Sequence, residues 1–274
     1  MRVFELFLNG LAMFGFDPRA TLRNCHGIPF YLRDFFELRR QGRKSGISFP
    51  FGVPFPCLTE RFEVSGGISG AYFHQDLLVA RRIFASNPKM HVDVGSRIDG
   101  FVAHVASFRK IRVMDIRELP GTIANVEFVQ MDMMKEIPEH LVASTDSLSC
   151  LHAIEHFGLG RYGDPIRFDG YLLGLDNLYR LLKPGGKLYF SVPIGPQRIE
   201  YNAHRIFSVR YLLDLFRARY SVVSFSFIDD QSELHESVTL DDVMVQNNFG
   251  CSRGCGIFEL IKRDDCIGPS PRKK

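Results

Sequence analysis

The chain has 274 residues, of which 45% are hydrophobic, and its formal net charge at pH 7 is +3. This composition fits one large α/β domain with additions, or two small domains, and it argues against a disordered chain. Scattered Lys and Arg residues favour a solvated surface over a nucleic-acid surface, so we expect no nucleic-acid partner. The six cysteines lack paired zinc spacing, which favours reduced thiols in a cytoplasmic protein. No apolar run reaches transmembrane length.

Residues 1–70 are predicted to form an extension outside the sheet domain. Residues 1–16 are expected to form a buried amphipathic helix, and residues 22–41 place apolar side chains partly on one helical face. Residues 48–57 contain three prolines and a glycine, which predicts an extended segment. Such an extension can shape an acceptor pocket, and a packing strap is the equal alternative.

Strand and helix patterns alternate from residue 71 and predict an α/β domain over residues 71–263. A helix over 77–84 feeds the first strand. The predicted strands cover residues 90–94, 111–115, 125–130, 147–151, 187–192, 221–228 and 255–262. The predicted helices between them cover residues 99–108, 169–182 and 208–218, and a helix end with a turn is expected at 183–186. The last two strands predict an antiparallel hairpin at the sheet edge, and residues 264–274 a disordered tail.

The first predicted strand ends in a glycine turn, which is the feature that most strongly indicates a ligand site. Gly95 follows the strand, and a helix pattern follows Gly95. Such a turn presents backbone N–H groups to a ligand at the carboxyl edge of the sheet. Asp115 ends the second strand about 20 residues later, the spacing at which a carboxylate reaches a ribose diol.

Several motifs together resemble the class I S-adenosylmethionine-dependent methyltransferases over residues 72–263. They are Val92-Asp-Val-Gly95 with Gly100, Asp115, Asp132, His152-Ala-Ile-Glu-His156 and Leu181-Leu-Lys-Pro-Gly-Gly-Lys-Leu188. The resemblance is narrower to a little-characterised methyltransferase-like family that occurs, among other places, in bacterial surface-glycan gene clusters. It implies a Rossmann-like, doubly wound seven-stranded sheet with an antiparallel last strand, plus a helical and irregular N-terminal extension.

The resemblance also implies S-adenosylmethionine as the cofactor and assigns residues to it. Asp93 would accept from its ammonium group through its backbone or a water, Asp115 would bind the ribose hydroxyls, and Asp132 would lie near the adenine amino group. The methionine part would lie on the turn formed by Gly95, Ser96, Arg97 and Gly100. The family's usual Gly-x-Gly-x-Gly is here Gly-Ser-Arg-Ile-Asp-Gly. Arg97 therefore either contacts the methionine carboxylate or closes the site.

The candidate bases follow the fourth and fifth strands. They are Glu155, His156, His152 and His204, and His156 is the first choice because imidazole titrates near neutral pH. A loop histidine that bonds the backbone is the equal alternative for His156. His204 with Arg205 is a candidate for orienting an anionic or sugar substrate. His152-x-x-Glu-His156 matches an inverted zinc-protease pattern, but the following glycines argue against the long helix that it needs, so no metal is expected.

The predicted function is methyl transfer to an oxygen or nitrogen of an unidentified small-molecule or glycan acceptor, with a sugar of surface-glycan biosynthesis as the example that the resemblance suggests. Two alternatives stay open. One is an NAD(P)-binding oxidoreductase, against which Arg97 argues because it replaces the glycine that approaches a pyrophosphate. The other is a non-catalytic scaffold of the same fold, which the altered glycines favour.

Overall fold

The computed structural model describes residues 8, 10–46, 49–63 and 70–264. The chain forms two compact units, Met1–Gly67 and Ile68–Lys274, and each is described by itself. Most of the predicted tail, residues 265–274, lies outside the described residues, as do residues 1–7 and 9 of the predicted first helix. Within the described residues, no helix combines the length and the apolar character needed to cross a membrane.

The first unit is built on one long helix, α1 (Pro18–Ser45). The Asp17 carboxylate accepts from the amides of Arg19 and Ala20, which caps its start. The helix ends at Gly46, whose φ of +65° favours glycine. The prediction of a helix over 22–41 is therefore right but too short at both ends. Residues 49–57 form no helix or strand, as the prolines predict.

The prediction that residues 1–16 form a buried helix is wrong for the last residues of this range. Residues 10–13 are helical, but the side chains of Met13 and Phe14 are about nine-tenths exposed. Apolar residues at such an end do not specify burial by themselves, since much of any folded surface is apolar.

The second unit contains five further helices and ten strands among its described residues. The α-helices are α2 (Ala71–Ser86), α3 (Ala103–Ala106), α4 (Gly170–Leu181), α5 (Val209–Phe216) and α6 (Asp242–Gln246). The strands are β1 (His91–Val94), β2 (Ile111–Asp115), β3 (Val126–Gln130), β4 (Thr145–Leu151), β5 (Leu182–Ile194), β6 (Arg198–Glu200), β7 (His204–Ile206), β8 (Tyr220–Ile228), β9 (Leu234–His235) and β10 (Gly254–Lys262). A π-helical turn, Ile98–Val102, precedes α3, so the helix predicted over 99–108 is less regular than expected.

The main sheet has the strand order β3-β2-β1-β4-β5-β10-β8-β9. The first five strands are parallel, and β10 is antiparallel to both β5 and β8. The predicted Rossmann-like sheet with an antiparallel last strand is confirmed, with β9 as an unpredicted eighth strand. The last long strand lies inside the sheet, between β5 and β8, and not at its edge. Strands β6 and β7 form a separate two-stranded sheet.

The turn predicted at residues 183–186 is a bulge at the start of β5. Pairing between β4 and β5 passes from Thr145–Leu182 to Ser147–Lys187, so four residues of β5 stand opposite one of β4. Gly185 has a φ of +70°, which favours glycine at this position. Helix α4 ends at Leu181, one residue before the strand.

Buried apolar side chains cover both faces of the main sheet. One cluster joins strand residues to α4 and α5, and the other joins them to α2, the π-helical turn and α3. This gives the three layers of a doubly wound fold. The chain order of the strands reverses between β1 and β4, and ligands of such sheets bind outside the carboxyl ends of strands at that point.

Candidate functional site

A cavity of about 300 Å³ opens at the carboxyl ends of β1, β2 and β4. Besides smaller and aliphatic residues, the side chains that line it are acids, arginines, histidines, tyrosines and methionines. They include Asp115, Asp132, Asp164, Arg97, Arg117, Arg161, His152, His156, Tyr72, Tyr162, Met114, Met131, Met133 and Met134. The cavity volume and the mixture of apolar and convergent polar side chains are those of a small-molecule site, with more charged groups than such sites usually have.

The turn after β1 is held by a buried carboxylate. Asp93 is fully buried and accepts from the Ser96 amide at 3.0 Å and from the Ser96 hydroxyl at 2.7 Å. Ser149 on β4 also donates its hydroxyl to Asp93. Burial raises the pKa of Asp93 to about 6, against the opposing effect of these donors. Neither Asp93 nor Ser96 lines the cavity, so their side chains hold the turn, and the predicted contacts of these two residues with the cofactor stay predictions.

The backbone amides at the turn are already bonded within the chain. Gly95 donates its N–H to the Met114 carbonyl at 2.9 Å, and Ser96 donates to Asp93. The expectation that these two amides stay available for a ligand is therefore wrong. Gly95 itself lines the cavity with a φ of +74°, and a Cβ there would lie 2.8 Å from the Cβ of Ala153. Its role is close approach of β1 to the chain that follows β4.

The two remaining turn residues of the prediction have different surroundings. A Cβ on Gly100 would lie 2.6 Å from a carboxylate oxygen of Asp76 in α2, so this glycine packs against a helix and does not line the cavity. Arg97 does line the cavity. Its guanidinium donates to both carboxylate oxygens of Asp99, at 3.1 and 2.8 Å, and lies 5.8 Å from the Tyr72 ring centre.

Asp115 lines the cavity where the sequence predicts the ribose acid, but Arg117 binds it. Oδ1 accepts from the amide and Nε of Arg117 at 2.8 and 3.0 Å, and Oδ2 accepts from Nη2 at 2.7 Å. A carboxylate has about four acceptor positions, so three are taken and one is free. A diol that donates twice therefore has to displace part of the Arg117 side chain.

Asp132 lies on the cavity beside the methionine side chains. Its Oδ1 accepts from the Met134 amide at 2.9 Å, which leaves Oδ2 for another donor. Methionine side chains adapt to flat rings and make favourable sulfur–aromatic contacts. The surroundings of Asp132 therefore fit the adenine position that the resemblance implies.

His152 follows β4 and forms a dyad with Glu155. Its Nδ1 lies 3.0 Å from Glu155 Oε1, and among the described residues its Nε2 has no hydrogen-bond partner. Burial disfavours the imidazolium, but Cys255 and Glu155 beside the ring raise the pKa of His152 well above its ordinary value. The Tyr72 ring packs against it with 5.1 Å between ring centres. A carboxylate on Nδ1 is how general-base histidines are held, and the buried Cys255 side chain lies beside the same ring.

His156, the first choice from sequence, has less freedom. Its Nδ1 donates to the Ala203 carbonyl at 2.7 Å, and its Nε2 lies 3.7 Å from Glu155 Oε1. Burial lowers the pKa of His156, against the effect of Glu155. The ring lines the cavity, but its bond to the Ala203 carbonyl is that of a loop histidine that holds the backbone.

His204 lies beside the cavity and not in its wall. Its ring centre is 6.3 Å from that of His156, and its Nε2 pairs with Glu200 at 3.2 Å. Arg205 is buried, and its guanidinium donates to the carbonyls of Glu155, Phe157 and Phe168. Arg205 therefore holds the loop after β4, and the predicted substrate-orienting role does not fit its position.

Three residues of the cavity wall were not singled out from sequence. Arg117 follows Asp115 by two residues, and Arg161 and Tyr162 lie in the glycine-rich loop of residues 158–163. The guanidinium carbons of Arg117 and Arg161 lie 4.5 and 5.2 Å from the Tyr162 ring centre. An arginine next to an aromatic residue in a short glycine loop was the available signal.

A group of potential metal ligands lies away from this cavity. Among the described residues, Asp229, Glu233 and His235 bring their donor atoms within 4.8 Å of one another. His235 Nε2 is already 2.9 Å from Asp229, whose other oxygen accepts from two amides. These bonds account for the arrangement as a structural turn.

The strand order and the cavity at its switch point define the class of fold, which is that of the class I methyltransferases. The chain belongs to the family described as Caenorhabditis protein of unknown function, DUF268, which matches residues 108–251. No curated protein matches the sequence. The family description names no reaction, so function has to be argued from the site.

Solved structures share this fold at low sequence identity. The [4+2]-cyclase SpnF has a TM-score of 0.51 and 14% identity, over 73% of this chain and 86% of its own. The Burkholderia thailandensis 1,6-didemethyltoxoflavin-N1-methyltransferase, solved with S-adenosylhomocysteine, has a TM-score of 0.48 and 19% identity, over 69% and 79%. The N-methyltransferase NodS from Bradyrhizobium japonicum, also with S-adenosylhomocysteine, has a TM-score of 0.48 and 11% identity, over 72% and 89%.

Proposed function

We propose that the protein transfers a methyl group from S-adenosylmethionine to an oxygen or nitrogen of a small acceptor. One observation carries this proposal: the acid that ends β2 and an oriented histidine after β4 line the same cavity. The first suits a ribose diol, and the second suits proton removal from an acceptor. The fold supports the proposal without naming the reaction, since one fold hosts many chemistries.

The cavity would accept the proposed cofactor after two arginine side chains, Arg117 and Arg97, leave their carboxylate partners. Asp115 has one acceptor position open and gains a second when Arg117 withdraws. Asp132 has an oxygen for the adenine amino group beside the methionine side chains. The methionine part would lie toward Gly95 and Arg97, and Arg97 would leave Asp99 to meet its carboxylate. The bound cofactor would supply a methyl group already activated by its sulfonium.

We assign the base to His152 in preference to His156. Glu155 fixes Nδ1 of His152, and Nε2 is without a partner among the described residues. Both ring nitrogens of His156 face oxygen atoms of the protein. A cationic sulfonium nearby would oppose the positive charge on His152 and help it to lose its proton.

In the proposed reaction Nε2 of His152 would take the proton of the acceptor atom as that atom receives the methyl group of the bound cofactor. Glu155 then stabilises the imidazolium through Nδ1. Most of the rate acceleration would come from holding the reactants in line.

Calorimetry with S-adenosylmethionine, S-adenosylhomocysteine and NAD tests the proposal. We expect the first two to bind and NAD not to bind. NAD binding alone would favour the oxidoreductase, and no binding of any of the three would favour the non-catalytic scaffold. Cofactor binding without transfer of labelled methyl to any acceptor in a panel of sugars, hydroxy acids and amines would refute the transferase assignment.

A sugar acceptor in surface-glycan biosynthesis, a cytoplasmic location and a contribution of residues 1–70 to the acceptor pocket stay predictions. The panel of acceptors tests the prediction of a sugar acceptor. Removal of residues 1–70 tests their predicted contribution to the acceptor pocket, since cofactor binding should persist while the Michaelis constant for the acceptor rises.

A further inference from the structure

We infer that the acceptor carries an anionic group, a carboxylate or a phosphate, and that Arg161 binds it beside the reacting atom. The inference rests on the proposed function, because it concerns the acceptor of the same site. It goes further because nothing in the predicted chemistry of methyl transfer requires an acidic acceptor.

Arg161 projects from the glycine loop after β4 and lines the cavity. Its Nη1 donates to the Ala203 carbonyl at 2.9 Å and lies 3.5 Å from Nδ1 of His156. The guanidinium also packs against the Tyr162 ring. A guanidinium has five N–H donors, so these contacts fix its position and leave most of its donors unused.

The other two arginines of the cavity wall are neutralised by carboxylates. Arg97 donates twice to Asp99, and Arg117 donates with its side chain to both oxygens of Asp115. Among the described residues, Arg161 has no carboxylate within 4.0 Å. It is therefore the arginine of this wall whose charge lacks a partner, and a planar guanidinium matches carboxylate and phosphate oxygens in pairs.

The nearest acid in the same loop is already used to hold the loop. Asp164 accepts from the amides of Gly158, Gly160 and Tyr162 at 2.8 to 3.1 Å. These three bonds stabilise the negative charge of Asp164 and fix the turn that carries Arg161. The loop is thus preorganised, and less conformational entropy is lost when an anion binds.

Cofactor binding should strengthen the anion site. The ribose diol and Arg117 compete for the oxygens of Asp115, and Arg117 packs on the same Tyr162 ring as Arg161. An Arg117 side chain released by the diol would bring a second unpaired guanidinium to this ring. By linkage, the anion and the nucleoside should each raise the affinity for the other.

The test compares wild-type protein with Arg161→Gln, and uses Arg167→Gln as the matched control. Arg167 is exposed, pairs with Asp169 and lies in the same loop outside the cavity wall. Calorimetry at constant ionic strength measures glucuronate, inorganic phosphate and neutral glucose, each with and without saturating S-adenosylhomocysteine. We expect wild type and Arg167→Gln to bind at least one anion about tenfold more tightly than glucose, and Arg161→Gln to lose that preference.

The outcomes separate the inference from the proposed function. Equal binding of anions and glucose by wild type, no anion binding, or unchanged anion binding by Arg161→Gln would each overturn the inference while S-adenosylhomocysteine still binds. Failure of S-adenosylhomocysteine to bind, with an Arg161-dependent anion site still present in the unloaded protein, would instead refute the proposed function alone. Circular dichroism of both variants checks that the fold is intact.

Discussion

The two sides of the cavity differ in how far the chain satisfies its own polar groups. On the side of β1 and β2, the Gly95 and Ser96 amides are bonded, and Arg117 takes three acceptor positions of Asp115. On the side after β4, Nε2 of His152 and Oε2 of Glu155 are buried without a partner among the described residues. Unpartnered buried groups are rare and costly, so the difference locates the place where the site requires a proton or a ligand.

The comparison also separates rigid groups from movable ones. Asp93 and Ser96 form a buried network outside the cavity wall. The side-chain bonds of Asp115 are made by Arg117, whose own side chain is about half exposed and has solvent to withdraw into. A ligand can therefore replace the Arg117 side chain without moving the backbone, whereas replacing the Asp93 network would distort the turn.

The largest effect is expected from His152→Gln, which removes the proposed base. Turnover should fall about 10²- to 10⁴-fold, the usual contribution of a positioned base, while S-adenosylhomocysteine affinity stays unchanged. The rate of product formation at saturating acceptor measures turnover, and calorimetry measures the affinity for S-adenosylhomocysteine. His156→Gln is the matched control, since it removes a cavity imidazole whose Nδ1 is bound to Ala203. If His156→Gln has the larger effect on turnover, the assignment of the base returns to His156.

A smaller effect is expected from Asp115→Ala on the bonded side. Loss of the carboxylate should weaken S-adenosylhomocysteine binding by about 1–3 kcal/mol, because the diol then lacks its acceptor. Glu127→Ala is the control, since Glu127 is an exposed acid of β3 paired with Arg112. Equal calorimetric affinities of Asp115→Ala and wild type would remove the ribose assignment.

The sequence was sufficient to predict the parallel half of the sheet because its signals are local. The predicted strand over 111–115 coincides with β2, and the strand predicted over 125–130 differs from β3 by one residue. Asp115 and Asp132 lie on the cavity because strand ends are fixed by the sheet. The two-residue strand β9 was not predicted, because two residues carry no periodic pattern.

Partners of the site residues could not be predicted, because they depend on contacts between segments distant in sequence. Ser149 lies 56 residues from Asp93, and Ala203 lies 47 residues from His156. The glycine turn at Gly95 suggested free amides, but the Met114 carbonyl on the neighbouring strand β2 accepts from the Gly95 amide. The choice between His156 and His152 depends on contacts of the same kind: a residue's type shows that it can act as a base, and only its neighbours show which nitrogen is available.

The pH dependence of turnover in the Glu155→Gln variant tests the side of the cavity after β4, because this substitution replaces the carboxylate of the His152–Glu155 dyad. The base has to be deprotonated, so wild-type turnover should rise with pH through the raised pKa of His152. The variant loses the negative charge that favours the imidazolium, so this pKa should fall and the rising limb should move to lower pH. NMR titration of the imidazole signals gives the pKa directly. A limb that does not move, or a shift confined to His156, would contradict the dyad.

The smallest effect, and one of opposite sign, is expected from Arg117→Ala. Removal of the guanidinium frees two acceptor positions of Asp115, so S-adenosylhomocysteine should bind more tightly, by about fivefold, if displacing the ion pair costs the ligand about 1 kcal/mol. Arg112→Ala is the control, because Arg112 lies on β2, the strand that ends at Asp115, and pairs with Glu127 away from the cavity. Weaker binding by Arg117→Ala would mean that Arg117 contacts the ligand itself. In that case the bonded side of the cavity is part of the bound state, and the contrast between its two sides disappears.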